Sequence, residues 1–237
     1  MSTPGIAGQR RPRGLVVDDA AEQLNLVSAL LAKEGFDVRS AADGEEALRL
    51  ARTHEPDVVV LDLSLPGVDG VEVCRRLRVF SDAYVIMLTS RTEEIDLLVG
   101  LSVGADDYMT KPFSPRELTA RVRTLQRRPR DQDRSNRVRK FGELEVDADA
   151  RTVRVADEEV ELTRIEFDLL DALTECPRLT YQRATLLERV WGPNWFGDSH
   201  IVEVHMANLR NKLGDDPKRP RFIKTVRGIG YRMVDAR

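Results

Sequence analysis

Five side chains in the first half of this sequence could share one piece of chemistry: Asp18, Asp19, Asp62, Thr89 and Lys111. Each stands at or just beyond the end of a short apolar run, "LVV" before the paired acids, "VVVL" before Asp62 and "VIML" before Thr89. Three carboxylates brought together repel one another unless something cationic joins them. A cluster of oxygen donors without cysteine suits Mg²⁺. Lys111 and Thr89 would then hold a phosphoryl group, one as a point charge and the other as a hydroxyl donor. Asp62 would be the nucleophile, because phosphoryl transfer to a carboxylate needs positioning and charge neutralisation more than a strong base. Taken singly, these residues also have plain readings. Asp18-Asp19 could form a turn, Asp62 could cap the loop that begins at Ser64, and Lys111 could be a solvated lysine.

The elements that must position them decide between the readings. The run Val58 to Leu61 has no polar alternation, as expected of an interior strand in a parallel sheet covered on both faces. Strands at Leu15–Val17, near Val38, at Val58–Leu61, Tyr84–Leu88 and Asp107–Met109 alternate with helical patterns. The helices are predicted over Ala20–Lys33, around Ala47–Ala51, over Val71–Leu77 and Ile95–Val103, and from Pro115, which suits a first turn. This alternation predicts an α/β, doubly wound, five-stranded parallel sheet. Such a sheet gathers the carboxyl ends of its strands into one crevice, which favours the shared site.

Beyond residue 127 the rhythm changes. "RRPRDQDRSNRVRK" lacks apolar periodicity and reads as a linker at 128–138. "FGELEVDADARTVRVADEEVEL" alternates in short segments, as in a small antiparallel sheet. Thr163 and Glu166 have capping-box spacing before an apolar helix. A second helix follows through Ala184 to Val190, a third over about Ser199 to Leu213, and then a glycine-tipped hairpin in "RFIKTVRGIGYRM". That order predicts a smaller α+β winged helix-turn-helix domain over 139–235. On the third helix, Val202, Met206, Leu209 and Leu213 form a core stripe. The opposite face and its flanks offer His200, His205, Ala207, Asn208, Arg210, Asn211 and Lys212 to a major groove, where amides read bases and cations hold phosphates. Lys224, Thr225 and Arg227 would reach DNA from the hairpin, with Arg227 entering a narrow minor groove.

Charge supports the division. The formal net charge of −3 conceals a stretch, residues 205–232, with eight basic and two acidic side chains, the footprint of a nucleic-acid contact. Two distant cysteines, Cys74 and Cys176, and three histidines have no metal-ligand spacing. No long apolar span or secretory signal is visible, so a cytoplasmic protein without a membrane partner is expected.

The motifs "LVVDDA", "VVVLDLSLPGVDG", "VIMLTSR" and "GADDYMTKPFSPRELTARV" closely resemble the receiver domain of two-component response regulators, a flavodoxin-like fold, over 13–127. "LTRIEFDLL", "LLERVWG" and "VEVHMANLRNKLGDDP" with its following hairpin resemble the DNA-binding domain of the OmpR/PhoB family. The resemblance implies that Asp62 accepts phosphate from a sensor histidine kinase. It implies Mg²⁺ on Asp18, Asp19, Asp62 and the Ser64 main-chain carbonyl, a switch pair of Thr89 and Tyr108, and a phosphate contact from Lys111. It also implies homodimers on phosphorylation, through a face that includes Asp107 and Arg121, and binding to repeated half-sites in double-stranded DNA. The loop Trp191–Asp198 corresponds to a segment that touches RNA polymerase, although its aromatics equally suit a core. Ala20 and Ser64 depart from the usual pattern around the pocket, Ser64 and Arg91 stand at positions that tune phosphate lifetime, and Leu97 and Ser102 replace charged residues on the dimer face. Ser64 stands where an aspartate-dependent phosphohydrolase would need its second acid, which disfavours an enzyme. A DNA-binding regulator with an unphosphorylated receiver is the remaining alternative, and the intact acids, Thr89 and Lys111 argue against it.

Overall fold

A computed structural model describes residues 10–90, 100–126, 138–193, 195 and 198–234. The linker at 128–137, the positions Arg91 and Leu97, and the first residues of the helix expected from Ile95 lie outside the described residues. The N-terminal strands are β1 (Arg13–Val17), β2 (Asp37–Ala41), β3 (Val58–Asp62), β4 (Tyr84–Thr89) and β5 (Asp107–Thr110). They form one parallel sheet in the order β2-β1-β3-β4-β5. Every residue of β3 and β4 is buried, as unalternated apolar strands require, whereas the edge strand β2 is mostly exposed. The helices are α1 (Ala21–Lys33), α2 (Gly44–His54), α3 (Gly70–Leu77), α4, of which residues 100–102 are described, and α5 (Pro115–Gln126). Asp43 and Asp69 start α2 and α3 by accepting the Glu46 and Glu72 N–H groups, each at 2.8 Å.

The C-terminal half opens with an antiparallel sheet of β6 (Val138–Phe141), β7 (Leu144–Asp147), β8 (Thr152–Val155) and β9 (Glu158–Glu159). Three helices follow: α6 (Arg164–Glu175), α7 (Arg183–Trp191) and α8 (Ile201–Leu213). Thr163 and Glu166 complete the capping box of α6. A second sheet, in the order β10-β12-β11, joins β10 (Tyr181–Gln182) to the hairpin of β11 (Ile223–Val226) and β12 (Gly230–Met233). Gly230 lies so close to β10 that a Cβ would stand 1.9 Å from the Tyr181 carbonyl oxygen. The predicted stripe of Val202, Met206, Leu209 and Leu213 is buried, and α8 packs against α6 and α7. No helix among the described residues is long and apolar enough to cross a membrane.

Candidate functional site

The strand order reverses between β1 and β3, which are neighbours, so their carboxyl ends bring Asp18, Asp19 and Asp62 together. One ligand oxygen from each lies within 4.8 Å of the others. Asp18 and Asp62 are buried and Asp19 is exposed, so the cluster meets water on one side. Lys111, one residue beyond β5, reaches across with Nζ 2.8 Å from Asp18 Oδ2 and 2.9 Å from Asp62 Oδ2. Burial opposes its charge, but hydrogen bonds to both acids outweigh that and raise its pKa above the ordinary lysine value. One ammonium against three acids leaves the pocket net negative. An all-oxygen donor set with a hydrated side fits a hard divalent cation. Asp18 is held from behind, because its Oδ1 accepts the Ala20 N–H at 2.9 Å where Ala20 itself has no capping side chain.

The loop after β3 turns tightly back on the end of that strand. The Gly70 N–H donates to the Leu63 carbonyl at 3.1 Å, and a Cβ on Gly70 would stand 2.2 Å from the Asp62 carbonyl oxygen. Only glycine fits there without moving the loop. Ser64, two residues after Asp62, is exposed. Thr89 ends β4, fully buried, and its carbonyl accepts the Lys111 N–H at 2.6 Å. Thr89 and Tyr108 line one small cleft, together with Met87, Gly100 and Leu101.

The candidate DNA-binding residues divide. Ala207, Asn211 and Lys212 on α8 are exposed, as are His200 before it and Lys224 and Arg227 in the hairpin. Lys212 also pairs with Glu166 at 2.7 Å, and His200 with Glu203 at 2.9 Å. Arg210 is placed differently from the sequence expectation. It is buried, donating to the Ile223 carbonyl at 2.9 Å and the Thr225 hydroxyl at 2.8 Å, so both residues fasten the hairpin to α8. His205 likewise leaves the exposed face. It is buried because the receiver packs against that side of α8, with Nε2 3.2 Å from the Asp106 carbonyl oxygen. Asn208, half-buried, donates to the Leu101 carbonyl at the end of α4, at 3.0 Å.

Two further residues complete this contact between the halves. Trp191 Nε1 donates to the Asp106 carbonyl at 3.3 Å, and Trp195 Nε1 to Asp107 Oδ2 at 3.1 Å. Asp107, itself fully buried, pairs with Arg121, and the Arg121 guanidinium lies 5.1 Å from the Trp195 ring centroid. Burial raises the Asp107 pKa against the opposing pull of Arg121. The two residues expected on a dimer face are therefore paired within one chain and covered by Trp195. The tryptophans of the loop Trp191–Asp198 pack as core, while Asn194, Phe196 and Gly197 lie outside the described residues. Sequence reading missed the contact itself. Its available signal was the closely spaced aromatic pair in "WGPNW".

Comparison with known proteins places both halves. Residues 15–123 match the response regulator receiver domain, and residues 157–233 match the C-terminal domain of transcriptional regulatory proteins. The DNA-binding response regulator MtrA of Mycolicibacterium smegmatis is 44% identical over 94% of this chain and 96% of its own. The solved DrrB of Thermotoga maritima, an OmpR/PhoB homologue, is 34% identical with a TM-score of 0.52, covering 95% of this chain and all of that one. A solved single-site mutant of RitR reaches a TM-score of 0.73 at 29% identity, covering 94% of this chain and 99% of its own. A receiver crevice at one end and a winged helix at the other, matched along nearly the whole length, make this chain a DNA-binding response regulator of the OmpR/PhoB family.

Proposed function

We propose that this regulator is switched by phosphorylation of Asp62, with a receiver at 13–127, a linker at 128–138 and a DNA-binding domain at 139–235. One observation carries the reading: a buried carboxylate at the end of β3, bridged by Lys111 to Asp18 and clustered with Asp19. A sensor histidine kinase supplies the phosphoryl group. An Asp62 oxygen forms the new O–P bond as the N–P bond to the kinase histidine breaks. Mg²⁺ would be held by Asp18, Asp19, Asp62 and the Ser64 carbonyl, and it would supply the charge neutralisation that the transfer needs. Lys111 and Thr89 would turn from their present partners to the phosphoryl oxygens.

Thr89 and Tyr108 then act as the switch pair. They share their cleft with Leu101, whose carbonyl holds Asn208, so repacking there reaches the recognition helix directly. With the domains apart, Asp107 and Arg121 become available to a second copy of the chain, which brings two α8 helices onto repeated half-sites. His200, Ala207, Asn208, Asn211, Lys212, Lys224 and Arg227 would meet the DNA, and the loop Trp191–Asp198 would be free for RNA polymerase. A cytoplasmic location follows from these partners. The test is incubation with a small-molecule phosphodonor and Mg²⁺. Wild type should gain one phosphoryl group and a folded Asp62→Asn variant none; full labelling of that variant refutes the assignment.

A further inference from the structure

His205 projects from α8 into the contact between the domains and is 1% exposed. A carbonyl only accepts, so the nitrogen facing Asp106 carries a proton, and burial, which lowers the pKa of the ring, keeps the other nitrogen bare. Its other nitrogen, Nδ1, is buried without a hydrogen-bond partner among the described residues, and the imidazole and Trp191 ring centroids lie 5.6 Å apart. A second proton, on Nδ1, would put a charged donor into a buried site where no described residue receives it. The surrounding charges give no relief. Arg78 at the end of α3 and Lys212 on α8 are cations that oppose it. Oδ2 of Asp106 is engaged by Arg78 and the Val85 N–H, while its buried Oδ1 has no partner among the described residues; the Asp107 carboxylate is engaged by Arg121, the Tyr108 N–H and the Trp195 indole.

We propose that the contact between the domains is a second input to the regulator: proton uptake by His205 releases α8 and the tryptophan loop from the receiver, without phosphorylation of Asp62. Burial, the largest cause, pushes the imidazole down to about 3 in the closed arrangement. Once the domains part, the ring meets water and returns to the ordinary histidine value of about 6.5. The closed arrangement therefore binds fewer protons. It keeps its full strength above about pH 6.5 and loses about tenfold in the closed-to-open equilibrium for each pH unit below that. Asp106 titrates nearby, pushed up to about 6 by its own burial. Arg78 and Val85, which hold its carboxylate, belong to the receiver, but Arg164 and Glu166 of the C-terminal domain also act on it, so its proton uptake too is linked to the contact, and a variant lacking only the His205 imidazole separates the two.

The chain contains two tryptophans, Trp191 and Trp195, and both lie in the contact. Acrylamide quenching of their fluorescence in full-length Asp62→Asn, from pH 8 to 5.5, reads the contact with phosphorylation removed. Quenching should rise as the pH falls through about 6.5, while Asp62→Asn/His205→Gln, which keeps an N–H for the Asp106 carbonyl but takes up no proton, stays flat. The same rise in the double variant, or no rise in the parent, overturns the proposal. Should the double variant not fold, the imidazole NMR titration of His205 in the parent replaces it. Coincident midpoints for the resonance and the quenching support the proposal, and a resonance that titrates without any change in quenching refutes it. Quenching reads the contact whether or not α8 reads DNA, so its failure is distinguishable from failure of the DNA-binding assignment.

Discussion

Replacing Lys111 by methionine keeps the length of the side chain and deletes its charge. The ammonium lies 2.8 and 2.9 Å from carboxylate oxygens of Asp18 and Asp62, whose side chains are 1% and 5% exposed. Deleting one partner of a buried ion pair costs about 3–5 kcal/mol. Lys111 retains 18% of its side-chain exposure and Asp19 opens the pocket to water, so the lower end applies, about 3 kcal/mol. A second route gives the same scale: two carboxylate charges at the 4.8 Å limit of the cluster repel by about 3.5 kcal/mol at an effective dielectric of 20. With a urea slope of roughly 1–2 kcal/mol per molar, the unfolding midpoint of Lys111→Met in EDTA should fall by about 1.5–3 M. A divalent cation can take the position that the ammonium leaves. Mg²⁺ at about a hundred times its Kd returns roughly 2.7 kcal/mol, so the variant should gain more from Mg²⁺ than wild type does. Urea titrations followed by circular dichroism, with EDTA and with Mg²⁺, measure the difference. An equal loss under both conditions would refute the reasoning, because the acids would then not be sharing a cation site.

Three other perturbations probe separate parts of the fold. Gly70→Ala pushes a methyl group against the Asp62 carbonyl, so the loop must shift; phosphorylation by a small phosphodonor should slow while Mg²⁺-free stability falls. Thr163→Ala removes the capping box of α6 and should cost about 1 kcal/mol, seen as a lower thermal midpoint of the C-terminal domain. Arg227→Ala should weaken binding to specific and random DNA alike and reduce the salt slope by about one, whereas Asn208→Ala should carry roughly 1–3 kcal/mol at a single base pair. A loss with Asn208→Ala that is equal on all sequences would contradict the assigned facing of α8.

Much of this was legible because the strands of the receiver carry no ambiguity. Val58–Leu61 and Tyr84–Leu88 are continuous apolar runs that suit only the interior of a covered sheet, and the acids at their ends follow from the chain direction. The capping box at Thr163 and the core stripe of α8 were equally readable, since both depend on spacing within a few residues. Arg210 and His205 were not. Helical periodicity assigns a residue to a face but does not say what packs on that face. Arg210 lies off the apolar stripe yet is covered by β11, through bonds that link residues 13 and 15 positions apart. His205 is covered by Asp106, 99 positions away. The two-residue strand β10 was missed because nothing periodic fits in so short a length. Asp107 and Arg121 were read as charges meeting a second chain, whereas they pair within the receiver and are covered by Trp195, a domain contact that no local pattern encodes.

The bond from Asn208 to the last described turn of α4 gives that side chain two loyalties. The same amide that the proposed DNA contact needs for choosing a base also helps hold the resting protein shut. A substitution there that retunes the preferred operator must also retune how often the unstimulated protein is open. Target choice and background output would then drift together at this position in evolution, whereas at Asn211, which is exposed, they could change separately.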